Sequence, residues 1–167
     1  MKAWIGSVMI RELKALRREI EAYPTDPDVW RVAPGIANRG GTLVLHLAGN
    51  LQYFVGAVLG GTGYVRHRDA EFADRDLPRS RLFAEIDRAT QAVETGLAAL
   101  RDEDLHRPYP EPVGGVTFTT GAFLTHLAAH LAYHLGQVDY HRRLVTGDGK
   151  TVRAVPIGEI AGAEAHK

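Results

Sequence analysis

Residues 123–143 read FLTHLAAHLAYHLGQVDYHRR, in which His126, His130 and His134 recur at every fourth position. Residues so spaced lie about 40° apart around an α-helix and about 6 Å apart along it, so neighbouring imidazoles can converge on one ion. All three cannot do so together. About 12 Å of rise separates His126 from His134, far beyond two metal bonds of roughly 2.1 Å. A pair from this helix, His126 with His130 or His130 with His134, must therefore recruit a ligand from another element.

Working outward, the helix is expected over about Thr119–Val145. Thr117, Thr119 or Thr120 offers the N-cap hydroxyl, and Gly147 follows its end. Three more segments carry helical periodicity. The first spans about Ile5–Ala22, with Met9, Leu13, Leu16 and Ile20 in register, and stops at Pro24. The second, about Gly41–Leu59, contains LVLHLAGNLQYF and is apolar around most of its circumference, so it should be buried. The third spans about Arg79–Leu100, with Leu82, Ile86, Ala89, Val93 and Leu97 inward.

Between them lie stretches too rich in Pro and Gly for regular structure, Tyr23–Gly41 and Asp102–Val116, although Trp30 is placed to pack back on the helices. The charged stretch YVRHRDAEFADRDLPRS, residues 64–80, reads as loop with at most a turn of helix. The expected fold is an all-α four-helix bundle with long crossover loops, over residues 1–147. Residues 148–167 have no sustained period and are expected to form an irregular tail.

The 167 residues include 20 Lys plus Arg and 20 Asp plus Glu, so no net field favours a nucleic acid. No apolar run approaches the roughly 20 residues a membrane span needs, and no secretory signal is evident at the N-terminus. A cytoplasmic protein without nucleic-acid or membrane partners is expected. There is no cysteine, which excludes disulfides, thiolate ligands and a cysteine nucleophile.

His46 is the candidate recruit. It sits between Leu45 and Leu47 in the most apolar helix, where its ring nitrogens need partners. One histidine facing an i, i+4 pair across a bundle would make a three-nitrogen set with an open fourth position, the layout of a catalytic metal site. The plainer reading of a lone buried histidine is a hydrogen-bonded core residue. Asn50, one turn past His46, is a supporting candidate on the same face. The Arg66–Arg75 run reads as a solvated, internally paired loop before it reads as a site entrance. Asp139, His141, Arg142 and Arg143 read as the polar end of the last helix. Tyr53, Phe54 and Tyr133 read as core packing.

The stretch Asn38, Gly41, LVLHLAGNLQYF, then Arg66, Arg68, Asp69, Glu71 and Phe72, and later HLAAHLAYHLGQV, resembles the DinB/YfiT-like metalloenzymes. That resemblance implies metal binding by a histidine of the second helix and an HxxxH pair of the last. The second histidine of that pair is followed by one residue and then Gly-Gln. Leu135, Gly136 and Gln137 follow His134, so the implied ligands are His46, His130 and His134, with His126 and Gln137 secondary candidates. It also implies one divalent ion, zinc or nickel before iron or manganese, and a homodimer.

Three functions follow from this reading. The first is a metal-dependent enzyme acting on a small-molecule substrate, as some relatives of the fold resemble low-molecular-weight-thiol transferases and the missing cysteine suits a thiol cosubstrate. The second is a non-catalytic, stress-associated metal-binding homodimer. The third is a metal-free helical interaction protein.

Overall fold

In the computed structural model, which describes residues 1–164, the periodic segments become four long helices and one short one. α1 (Lys2–Glu21) buries Met9, Leu13, Leu16 and Ile20 on one stripe. α2 (Gly40–Leu51) is buried on every side, as its unbroken apolar run requires. α3 (Arg68–Ala73) is a short helix in the charged stretch. α4 (Arg79–Ala98) turns Leu82, Ile86, Ala89 and Val93 inward. α5 (Thr120–Thr146) is capped by the Thr119 hydroxyl, which accepts from the Ala122 N–H at 3.3 Å, and ends at Gly147 with φ 70°. No named strand occurs among the described residues.

Side by side, α1 packs on α4 and α5, and α2 packs on the same two helices. The order around the bundle is therefore α1, α4, α2, α5. Consecutive helices α1 and α2 stand diagonally, as do α4 and α5, and only a long connection can carry the chain across. The first crossing contains a 3₁₀ turn, Pro27–Trp30. Trp30 packs back as expected, with its indole N–H donating to the Leu77 carbonyl at 2.9 Å. Its ring lies against Gly41, where an added Cβ would come within 2.6 Å of it.

Several expectations are corrected. The second helix does not run regularly to Leu59: Gln52–Ala57 is a π-helical turn, in which the Val58 N–H reaches the Tyr53 carbonyl. The stretch 64–80 holds more than a single turn, because Phe72 and Glu71 of α3 dock on α2. The end of α5 is not simply polar surface. His141 and Arg142 are 1% and 0% exposed, since Tyr23, just past the end of α1, and Glu19 of α1 supply buried partners. Tyr133 is no core residue, at 65% exposed.

After Gly147 the chain returns along α1. Arg18 donates to the Val152 and Arg153 carbonyls, and the Ser7 hydroxyl accepts from the Ala161 N–H at 2.9 Å. Residues 165–167 of the expected tail lie outside the described residues. No helix among the described residues is long and apolar enough to cross a membrane.

Candidate metal centre

α2 and α5 lie side by side, and their contact brings His46 against the His130 and His134 turns. His46 is 8% exposed. Its ring centroid lies 5.2 Å from that of His130 and 5.4 Å from that of His134, and the latter two are 4.6 Å apart. One ring nitrogen from each falls within 4.8 Å of the others, a group that can hold a metal ion. His46 Nε2 and His130 Nε2 are 3.3 Å apart. Two nitrogens bound to one tetrahedral ion at roughly 2.1 Å stand about 3.4 Å apart, so this spacing fits a shared ion.

Protonation favours the same reading. Burial, reinforced by the His134, His46 and His126 rings and the Arg66 guanidinium, pushes His130 down to about 4. Burial also lowers His134, although its hydrogen bond with Gln137 opposes the shift. Both rings are therefore neutral at neutral pH, and each keeps a lone pair for a cation. His130 Nδ1 is buried without a hydrogen-bond partner among the described residues.

Two rings are held from behind. His134 Nδ1 lies 2.7 Å from Gln137 Oε1, which leaves Nε2 free to face the group. His46 Nδ1 lies 3.0 Å from Glu71 Oε2, and Glu71 is 6% exposed. Arg66 grips that carboxylate with two bonds, Nε to Oε1 at 2.7 Å and Nη2 to Oε2 at 2.8 Å. Burial alone would raise the Glu71 carboxyl, but the hydrogen bonds from Arg66 and His46 outweigh it and hold the group below its ordinary value. Phe72 packs on the His46 ring at 4.9 Å between centroids.

The remaining candidates stand apart. His126 is exposed, stacked on Phe123 at 6.0 Å, with its centroid 6.2 Å from that of His130. Asn50 is buried with Oδ1 unpartnered among the described residues, and no hydrogen bond joins it to the three rings. The Arg66–Arg75 run is not only a solvated loop, since Arg66 and Glu71 form the buried support of His46. The sequence names Glu71 only within the stretch that carries the family resemblance and gives it no role of its own. Four carboxylates at Asp69, Glu71, Asp74 and Asp76 carry no periodicity that singles out one of them.

A cavity of about 320 Å³ adjoins on the Glu71 side, lined among others by Leu45, Gly49, Gln52, Tyr64 and Arg88. Its walls are mixed polar and apolar, suited to a small molecule.

Comparison with curated proteins and with solved structures finds no match. The family model of the DinB superfamily matches residues 11–138, a span that includes His46, Glu71, His130, His134 and Gln137. The chain belongs to the DinB superfamily.

Proposed function

We propose that this chain is a metal-dependent enzyme whose His46, His130 and His134 hold one divalent ion, and that it transfers a low-molecular-weight thiol to a small electrophile. The observation that carries the reading is the convergence of three imidazole nitrogens within 4.8 Å from two packed helices, with burial holding the His130 and His134 rings neutral. Zinc and nickel suit such a nitrogen set, and iron or manganese could also occupy it. When bound, the ion supplies positive charge that lowers the pKa of a thiol or water brought to it.

The chain's own residues supply position. His46, with Glu71 behind it, and His134, with Gln137 behind it, are fixed before any ligand arrives, so little ordering is left to the moment of binding. Three neutral donors leave the charge of the ion uncompensated. The sequence has no cysteine, so the reacting sulfur must come from a cosubstrate. In the transfer the S–H bond breaks and the bond from sulfur to the electrophilic carbon forms. The proton ends on the displaced group or on the atom that accepts the electron pair.

We further infer that the chain works as a homodimer. From Thr120 to Val138, α5 carries no Asp, Glu, Lys or Arg, and its outer face exposes Tyr133, Tyr140 and Leu144. Sedimentation equilibrium tests this, and a monomer at micromolar concentration contradicts it. The activity is tested with a panel of bacterial thiols and a model electrophile, using zinc-loaded wild type and His130→Ala. Faster turnover by the wild type with at least one thiol is expected. Equal rates across the panel remove the transferase reading.

A further inference from the structure

The support behind His46 makes a choice that the ring cannot make alone. A neutral imidazole carries its proton on Nδ1 or Nε2, and only the bare nitrogen can donate a lone pair. Free in water the two forms interconvert. In this fold His46 Nδ1 faces Glu71 Oε2 at 3.0 Å and Nε2 faces His130 Nε2 at 3.3 Å. Both Glu71 oxygens also receive Arg66, through Nε at 2.7 Å and Nη2 at 2.8 Å. A carboxylate gripped by a guanidinium in this way is ionised and only accepts hydrogen bonds. The proton in the His46–Glu71 contact must therefore sit on Nδ1. Arg66 Nη2 lies 3.4 Å from the same nitrogen, but that is a donor beside a donor, at the edge of the fork that holds the carboxylate.

The backbone of α2 is shaped to admit this carboxylate. Gly49 stands three residues past His46, and a Cβ built there would lie 2.2 Å from Glu71 Oε1 and 2.8 Å from its carboxyl carbon. Any larger residue would displace the carboxylate. Phe72, next to Glu71 on α3, covers the His46 ring at 4.9 Å. The short helix α3 thus brings both the acceptor and the packing surface.

We propose that Glu71 is a positioning residue that, braced by Arg66 and seated in the notch at Gly49, fixes His46 in its Nδ1–H form with Nε2 bare toward His130 and His134. The consequence for metal affinity rests on the three-histidine reading, but the tautomer itself does not. Carboxylates in this position commonly change metal affinity by about 10- to 100-fold when removed. Glu71→Gln keeps the shape and breaks the logic: Arg66 takes the single amide oxygen, and the amide NH₂ turns toward Nδ1.

Long-range ¹H–¹⁵N correlation of the histidine rings in the metal-free protein, at a pH where they are neutral, reads the tautomer directly. His46 resonances are assigned by their loss in His46→Gln. Wild type should show His46 protonated on Nδ1, and Glu71→Gln should move the proton to Nε2. Zinc affinity, measured by chelator competition, should fall about 10- to 100-fold in Glu71→Gln. Should that variant fail to fold, Gly49→Ala displaces the same carboxylate and should shift the tautomer likewise. A wild-type His46 protonated on Nε2, or Glu71→Gln with unchanged spectra and unchanged affinity, overturns the proposal. Wild type that binds no zinc removes the metal reading, and the spectra alone then decide the role of Glu71.

Discussion

His134 and Gln137, three residues apart on α5, are joined by a 2.7 Å hydrogen bond from Nδ1 of the ring to Oε1 of the amide. The bond lies within one helical turn, so its geometry is set by α5 alone and survives any shift of the neighbouring helices. It turns Nε2 of His134 toward His46 and His130. Replacing Gln137 with Leu should free the ring and weaken zinc binding about 10- to 100-fold, whereas Gln137→Glu keeps an acceptor and should retain it. Competition with a chromogenic chelator measures both. Equal affinity for Gln137→Leu and wild type would show that this bond does not orient a ligand.

Acid should destabilise the fold through His141. Burial lowers its pKa, against the opposing hydrogen bond to the Arg31 carbonyl at 2.9 Å and with help from the Arg31 and Arg39 charges. The unfolded chain takes up a proton near about 6.5 that the folded ring refuses. Stability from neutral His141 is thus complete above that pH and is lost as pH falls below it, until the folded ring also titrates. Urea midpoints of the metal-free protein should decline from pH 7.5 to pH 5. The decline should be shallower in His141→Gln, which isolates this ring from His130 and His134. Identical slopes for the two proteins would refute the assignment.

Arg142, fully buried, ties α5 to α1 and to the returning chain. It bonds Glu19 Oε2 at 2.6 Å and Asp139 Oδ1 at 3.1 Å, and it holds the returning chain through the Asp148 and Lys150 carbonyls. Arg142→Met would leave the Glu19 carboxyl buried without its partner, a loss of about 3–5 kcal/mol. Chemical denaturation should show that loss, with part of it recovered in the Glu19→Gln/Arg142→Met double variant. A loss below about 1 kcal/mol would mean the pair behaves like a surface ion pair.

The helices were legible because their signals are local. Met9, Leu13, Leu16 and Ile20 repeat at helical spacing, and Thr119 and Gly147 bracket α5 with side-chain and backbone chemistry that any reader of sequence can see. The need for a ligand from a second helix was legible in the histidine spacing, with His46 as the recruit, whereas the choice of His130 and His134 over His126 and His130 rested on the family resemblance alone. What stayed hidden depends on partners distant in sequence. Glu71 meets His46 across 25 residues, and nothing local distinguishes it from Asp69. Arg142 is buried by Glu19, 123 residues away, so its surroundings could not be read from the end of α5. The π-helical turn at Gln52–Ala57 lies where Gly96 of α4 closely approaches Val55, so that a Cβ at Gly96 would meet the Val55 carbonyl at 2.2 Å. Such a fit belongs to the packed pair and not to either helix.

The central claim is that His46, His130 and His134 together hold one ion. Calorimetric titration of the metal-free protein with zinc and with nickel tests it most directly, run on wild type, on each of the three His→Ala variants, and on His126→Ala as control. The account predicts one ion per chain for wild type and His126→Ala, and loss of tight binding in each of the other three. Absence of uptake by wild type, or full binding by His130→Ala, would contradict it.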